Sequence, residues 1–598
     1  MFPMCETGFA PEYTFRNLVL SLIRCEPCKC RTGDMQAVLF PDAQSLPFSE
    51  PPAAIVHQPI SINHSLAIMK NPIKYLPFSF TVLSLFSCAE KTAQKPNVLF
   101  ISVDDLNDWV GALGGHPQAI TPNMDRLFQK GVLFTNAHVA QPVSTASRNS
   151  LLSGLHPCTT GWYASTESYR KNYDEVMQGN MMMPEYFKEN GYETLACGKV
   201  FHNGDCDFPG KKDQFWTETS PKFWNQMEAH IEDAGYGYRG HMFYPFPAGG
   251  GQLVEAYGED TIVNYYQKVN RFYSLCGGPL EDSQIPSKGM FDEQIAAWAV
   301  NKIKEKHGKP FFLAVGFLRP HVPYTAPKRY FDMYDPDSLI MPDIPTDEMK
   351  DIPMYGKTLA FGSSPRGDWY DIQQVKGAHR ELVHAYLACI TFVDEQIGKV
   401  IKALEESGQM DNTIIVLYGD HGQHLGEKHH FRKQALWEES TRVPLFFRIP
   451  GAMDEGKSSH TPVSLLDIYP TLLKACQLPA NEKNQGTDLS PIIRDVSIRR
   501  EKPVLISWYY KNFAVRSEHW RYIRYRDGSE ELYDHRNDPG EHINLASDAR
   551  YDDIREWHRN YIPTEVALPS GSTVWEGDKM EQLYKLWSET DSVPTWLR

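Results

Sequence analysis

Asp104-Asp105 and Asp420-His421 lie far apart in the chain, yet each follows directly on an apolar run of strand length. If those runs are neighbours, three carboxylates and an imidazole meet at one place. Mutual repulsion makes such a meeting costly unless a cation sits between the carboxylates. Oxygen donors without a cysteine or histidine cluster favour Ca²⁺, with Mg²⁺ second, over zinc. His421 keeps two readings, a contact to the metal or a hydrogen bond to a ligand. One Asp-Asp pair taken alone reads as a solvated turn, and it is the second strand end that shifts the balance. Two further runs end in Gly198-Lys199, with His202 just beyond, and in Arg319-Pro320-His321. Between the Asp105 and Gly198 strand ends lies Ser144-Thr145-Ala146-Ser147-Arg148-Asn149-Ser150-Leu151-Leu152-Ser153-Gly154, in the simplest reading a serine-rich loop entering a short helix with Ser147 as its N-cap.

The elements that must position these groups are legible in the same rows. Val98–Val103, Tyr192–Cys197, Phe311–Phe317 and Thr413–Tyr418 are apolar runs bounded by turn residues. Helices separate them. Thr121-Pro122 opens one as N-cap and first-turn proline, with Gly131 closing it, and Pro184–Asn190 stops at Gly191. A third covers Asp292–Lys306, and the longest aligns Leu382, Ala385, Cys389, Phe392, Val393, Ile397, Val400 and Leu404 on one stripe before Gly408. This alternation predicts an α/β fold, a large mostly parallel sheet sandwiched by helices, with ligands bound beyond the carboxyl ends of its strands. After about residue 495 the style changes. Val504–Trp508, Phe513–Arg516, Trp520–Tyr525 and Leu532–Asp534 are short and aromatic and predict a small C-terminal antiparallel sheet. The division expected is a main domain over 96–494 and a subdomain over 495–598.

Composition narrows the class. Of 598 residues, 41% are hydrophobic and 23% charged, which argues against disorder and against a multi-span membrane protein. A formal charge of −15 argues against nucleic acid as a partner, because phosphate binding needs a basic face. An anionic ligand must then be held by a few cations in a cleft. From Met69 the chain has a basic start, the apolar run Tyr75–Phe86 and Ser87-Cys88, the three regions of a secretory signal. Leu85-Phe86-Ser87-Cys88 is similar to a bacterial lipobox, which makes 69–88 a lipoprotein signal, Cys88 the lipid-bearing residue, and 1–68 an upstream extension. That reading places the protein outside the cytoplasm, as a periplasmic or cell-surface lipoprotein anchored to an outer or inner membrane. Cys25, Cys28 and Cys30 lack the second ligand pair of a zinc site. Cys158, Cys197, Cys206, Cys276, Cys389 and Cys476 follow the signal, with no pairing readable.

The 144–154 stretch resembles the sulfatase signature, Cys or Ser, any residue, Pro or Ala, Ser, Arg, then a distal Gly, whose first residue is oxidised to Cα-formylglycine. Other stretches resemble that family in the same order: Asp104-Asp105-Leu106, Pro184–Gly191, Gly198-Lys199-Val200-Phe201-His202, Phe311–Val315, Pro320-His321-Val322-Pro323, Asp420-His421-Gly422 and Leu425-Gly426-Glu427. The resemblance spans roughly 96–480, and its details are closest to the iduronate-2-sulfatases. It implies the fold shared by alkaline phosphatases and sulfatases, and hydrolysis of sulfate monoesters. Ser144 in place of the commoner Cys implies a serine-type, oxygen-independent maturase as a transient partner, and Ala146 replaces Pro.

The roles implied by the resemblance follow residue by residue. Asp104, Asp105, Asp420, His421 and the modified Ser144 bind the cation, which lowers a hydroxyl pKa and polarises a sulfate oxygen. Arg148 orients the formylglycine hydrate. Lys199, His321 and Lys433 neutralise the sulfate, His321 protonates the departing sugar oxygen, and His202 accepts a proton as sulfate is expelled. Each has a plain alternative: Lys199 as a surface lysine, His321 as a structural imidazole, Lys433 as part of a charged stretch. His424, Glu427, His429, His430 and Arg432 either rim a pocket or are solvated. The 203–290 segment carries Trp216, Trp224, Tyr236, Tyr238 and Phe243, which suit stacking on sugars or packing on the core. The implied substrate is a 2-O-sulfated uronic acid at the end of a glycosaminoglycan oligosaccharide, removed in an exo fashion. Two rivals stand beside it, a phosphoryl or phosphonate ester hydrolase on the same fold and a catalytically silent glycan-binding lipoprotein that keeps the pocket without forming the aldehyde.

Overall fold

Strands β1 (Asn97–Val103), β6 (Phe311–Phe317) and β8 (Thr413–Gly419) are buried at every position. The computed structural model explains this. It describes residues 95–163, 173–202, 206, 210–221, 223, 278–322, 324–362, 368–373, 377–570 and 572–590. The signal region, Cys88, Pro323 and Cys276 lie outside the described residues, as do Trp224, Tyr236, Tyr238 and Phe243.

Leu99, Ile101 and Val103 point into one hydrophobic cluster while Val98 and Phe100 point into another, and β6 and β8 alternate in the same way. Both faces of the sheet are therefore core, and a strand buried on both faces must be apolar throughout. Helices Phe291–Lys304 and Ala378–Glu406 cover the first face, and Ser144–Ser153, Met183–Glu189 and Ile468–Ala475 the second. The helices expected after Thr121, over Pro184–Asn190, over Asp292–Lys306 and along the 382–404 stripe fall within a few residues of expectation, while Ile468–Ala475 was not anticipated. Gly408 adopts the left-handed φ of 69° just beyond the longest one, and Gly191 does so after Met183–Glu189. Thr121 caps Pro122–Phe128 in position only, because its hydroxyl bonds Asp125 and no helix amide.

The main sheet takes the order β12-β2-β11-β8-β1-β6-β3-β4, with β13 also pairing β2. The remaining members are β2 (Val132–His138), β3 (Glu193–Gly198), β4 (Glu218–Thr219), β11 (Arg442–Arg448), β12 (Lys457–Ser459) and β13 (Val463–Ser464). Only β11 runs against its neighbours; the other described pairings are parallel. Four adjacent parallel strands, β8, β1, β6 and β3, thus finish side by side, with Val103 opposite both Gly419 and Phe317, and Gly198 opposite Gly316. A Cβ on Gly316 would sit 2.2 Å from the Lys199 carbonyl carbon, so only glycine allows β3 to turn there. Every polar cluster singled out at a strand end lies on this crest.

A second sheet, β14 (Val504–Ser507), β15 (Phe513–Arg516), β16 (Trp520–Arg524) and β17 (Glu530–Asp534), is antiparallel throughout. Val504, Ile506, Trp508, Ala514 and Ile523 share a core with Val143 and Ala146 at the start of the Ser144 helix, and the Ser507 N–H donates to Ala140 O at 2.9 Å. The C-terminal sheet therefore braces the loop that delivers Ser144. Among the described residues no helix is long and apolar enough to cross a membrane; Cys158, Cys197, Cys389 and Cys476 are buried free thiols, and the buried Cys206 donates its S–H to Gly198 O.

Candidate metal and nucleophile site

The hydrogen-bond ladder runs past the strands into the site. Asp104 N–H donates to Phe317 O, Asp420 N–H to Val103 O and Lys199 N–H to Gly316 O. The side chains of Asp104, Asp105, Asp420 and His421 are fully buried, and one donor atom from each lies within 4.8 Å of all the others. The Asp105 amide donates to Asp420 Oδ1 at 3.0 Å, tying the β1 and β8 ends together. His421 Nε2 lies 3.4 Å from Asp105 Oδ1 and 3.5 Å from Asp420 Oδ2.

Ser144 enters from the β2 side. Its Oγ donates to Asp104 Oδ1 at 3.2 Å and meets His421 Nε2 at 2.7 Å. The helix begins at Ser144 itself, with Val143 as N-cap, so the expectation of Ser147 as N-cap is corrected. Ser147 lies inside the first turn and its hydroxyl donates to Asp420 O, a long-range bond that its local sequence could not reveal. One turn after Ser144, Arg148 Nε donates to Asp420 Oδ2 at 2.9 Å, Nη2 lies 3.4 Å from Asp104 Oδ1, and Nη1 reaches Ser102 Oγ and Lys199 O. The guanidinium is completely enclosed, so it is a fixed part of the site.

The other cations surround the same carboxylates. Lys199 Nζ pairs with Asp104 Oδ2, and Lys433 Nζ with Asp105 Oδ1 at 2.5 Å. Lys433 is presented by a hairpin of β9 (His424–Leu425) and β10 (Phe431–Arg432), and both its neighbours, Arg432 and Gln434, have φ of 76°. Left-handed backbone at non-glycine residues costs roughly 1–2 kcal/mol each, and such strain gathers at functional sites. His321 follows a turn held by Asp292, whose carboxylate accepts from the Leu318 and Arg319 amides at 2.6 and 3.1 Å. The structure thus brings Ser144, Arg148, Lys199 and Lys433 into contact with the four metal-type donors, and sets His202 and His321 within electrostatic reach of Asp104.

The electrostatics agree with one shared cluster. Burial opposes ionisation of Asp104, yet Lys199, Arg148 and Lys433 outweigh it and hold its carboxyl well below the usual range. Asp420 moves the other way, pushed up by burial against the pull of Arg148. Burial, reinforced by Lys433 and Lys199, keeps His321 well below its ordinary value, and burial with Lys199 holds His202 at about 3. Both imidazoles therefore rest neutral. Burial also lowers His421, leaving its ring neutral and able to offer a lone pair.

A hard divalent cation fits this donor set. Asp105 Oδ2 is buried with no hydrogen-bond partner, which is expensive for a carboxylate unless something positive reaches it. Asp104, Asp105 and Asp420 supply oxygen and His421 a nitrogen, without thiolate.

Several rim expectations change. His424 and His430 are buried, and His429 stacks on Trp369 at 5.4 Å, so this stretch builds the hairpin and is not a solvated edge. Trp216 is buried with its indole N–H on Cys206 O, which settles it as core. Sequence reasoning passed over Ser102, Asn107, Tyr386 and Gln423, whose bonds meet the site from the interior. Tyr386 was hidden within an amphipathic helix whose apolar face it shares.

A family described as Sulfatase matches residues 96–478, and the C-terminal family of N-sulphoglucosamine sulphohydrolase matches 426–564. A sulfatase of Formosa agariphila is 34% identical over 498 residues, covering 82% of this chain and 89% of the relative. The mouse iduronate 2-sulfatase is 28% identical over 455 residues, 68% of this chain and 74% of its own. A solved 2-O GAG sulfatase superposes with a TM-score of 0.57 at 22% identity, covering 84% of this chain and 96% of that one, and shares the fold.

Proposed function

The chain belongs to the sulfatase family and is a sulfuric ester hydrolase; from that premise we propose that it removes a 2-O-sulfate from a terminal uronic acid of a glycosaminoglycan oligosaccharide, using Ser144 converted to Cα-formylglycine and a calcium ion. The family implies formylglycine and a divalent metal. The observation that carries the reading is Ser144 Oγ at 3.2 Å from Asp104 and 2.7 Å from His421, one helical turn from the enclosed Arg148. Names of relatives, iduronate 2-sulfatase and 2-O GAG sulfatase, support the uronate 2-sulfate.

A serine hydroxyl needs activation to attack an anionic ester. The cation held by Asp104, Asp105, Asp420 and His421 would polarise a sulfate oxygen and acidify the hydroxyl beside it. Formylglycine, as its hydrate, would supply one hydroxyl to attack sulfur and a second whose collapse releases sulfate. The chain's own residues do the rest. Arg148, locked to Asp420 and Asp104, orients residue 144. Lys199 and Lys433 turn from their aspartates to the incoming sulfate. His321, neutral at rest, gains proton affinity as that anion arrives, takes up a proton from solvent and gives it to the departing sugar oxygen. His202 Nδ1 is buried without a partner and accepts the proton of the second hydroxyl.

Residues 69–88 support export as a lipoprotein anchored through Cys88, with 1–68 upstream of the mature chain and a serine-type maturase acting on Ser144 beforehand. The 96–494 and 495–598 division belongs to the same proposal. The test is mass spectrometry of the Ser144 peptide after expression with a serine-type maturase, with turnover of defined sulfated disaccharides and of aryl sulfate against aryl phosphate. Loss of two hydrogens at Ser144 and preference for the 2-O-sulfated uronate are expected. An unmodified, inactive serine would favour the glycan-binding reading, and faster phosphate release the phosphoryl one.

A further inference from the structure

Successive residues on an extended strand point to opposite faces. Ser102 faces the side of Val98 and Phe100, where Arg148 bonds it, and Asp104 is next in that series. Asp105 belongs by the same rule to the series of Leu99, Ile101 and Val103, away from Asp104. Yet both carboxylates serve one cluster. The backbone resolves the conflict at Asp105 itself, which adopts a φ of 59°.

That turn leaves two backbone groups in the interior, the Asp105 carbonyl and the Asn107 amide. The Tyr386 hydroxyl meets both, donating to Asp105 O at 2.7 Å and accepting from Asn107 N–H at 3.1 Å. Tyr386 is fully buried on the long helix, with its ring edge-on to Trp109 at 5.4 Å and to Tyr324 at 5.3 Å. Burial raises its phenol well above the ordinary value, so the donor proton is always present. From the same turn, Asn107 Nδ2 donates to Gln423 O at 3.1 Å, which ties it to the loop carrying Asp420.

We propose that Tyr386 is a positioning residue of the metal centre: its hydroxyl closes the left-handed turn that swings Asp105 onto the side of Asp104, Asp420 and His421. Without it, the carbonyl and amide are orphaned in a dry interior, and the turn relaxes to recover partners. Removing outer-shell partners of metal ligands weakens metal affinity by roughly 10–100-fold. The inference rests on the cation in the proposed function, and its test reads binding rather than turnover.

Calcium titration calorimetry on the full chain compares wild type, Tyr386→Phe and Tyr334→Phe, with melting temperatures in chelator. Tyr334 is the control, because its hydroxyl meets Thr391 Oγ1 on the same helix at 2.5 Å and the Ile120 amide at 3.2 Å, away from the site. Expected is a Tyr386→Phe calcium midpoint raised by about tenfold or more, with activity returning toward wild type at excess calcium. Tyr334→Phe should lose melting temperature and keep the wild-type midpoint. A Tyr386→Phe midpoint equal to wild type, an equal weakening in Tyr334→Phe, or failure of Tyr386→Phe to fold would overturn the proposal. Wild type that binds no calcium would instead sink the cation reading beneath it.

Discussion

Among the described residues two acidic clusters of similar composition occur, and only one keeps an unmet carboxylate oxygen. At the crest, Asp104, Asp105, Asp420 and His421 converge; below it, Glu438, Glu541 and His535 come equally close. In the second cluster the oxygens are taken. Arg516 grips Glu438 at 3.0 and 3.2 Å, Arg521 contacts both Glu438 and Glu541, His535 lies 3.0 Å from Glu541, and Glu541 Oε2 accepts the Glu438 amide. In the first, Asp105 Oδ2 has nothing. Proximity of acids is therefore no sign of a metal; an unmet oxygen among correctly aimed donors is. The rigid, satisfied cluster pins residues 436–441 to the C-terminal sheet, beside the hairpin that presents Lys433.

The largest effect that would sharpen the contrast is on turnover. Ser144→Ala should reduce sulfate release to assay background while calorimetry shows an unchanged melting temperature, and substantial residual turnover would refute the nucleophile. Next, Glu438→Leu leaves the buried Arg516 guanidinium without its carboxylate and should cost about 3–5 kcal/mol in urea unfolding. A cost near zero would mean that the lower cluster is not structural. Third, calcium at 100 times its Kd should stabilise the wild type by about 2.7 kcal/mol. That increment should vanish in Asp105→Asn and persist in a milder lower-cluster variant, Glu541→Gln; the reverse pattern would exchange the two assignments.

A further effect concerns pH and sits in neither cluster. Burial holds His156, His430 and His558 at about 4, below the unfolded value of 6.5. Unfolded chains take up these protons first, so stability is complete above pH 6.5 and is lost as pH falls toward 4. The slope is up to about 1.4 kcal/mol per pH unit for each histidine. Chemical denaturation between pH 7 and 5 reads the three together, up to about 4 kcal/mol per pH unit, and a flat profile would place these rings in water.

Much of the crest was legible in the rows of residues. A strand buried on both faces has to be an unbroken apolar run, so its end is visible, and whatever polar residue follows stands at the carboxyl edge of the sheet. Asp104, Lys199, His321 and Asp420 were placed by that argument. Ser144 and Arg148 were reached through the family motif. The fold class followed from alternating strand and helix periods.

What stayed hidden depends on partners distant in sequence. The residue at 144 opens its helix because the C-terminal sheet packs on Val143 and Ala146, while Ser147 turns to Asp420 O. His424 and His430 are charged-looking in a row of letters but sit in a closed hairpin. The amino-acid order by itself determined which residue types reach the edge of the sheet, because burial periodicity is a local property of each strand. Only the tertiary structure decided that Asp105 turns back toward Asp104 and that one acid cluster keeps an unmet carboxylate oxygen, because both depend on which groups the packed chain brings within hydrogen-bond reach.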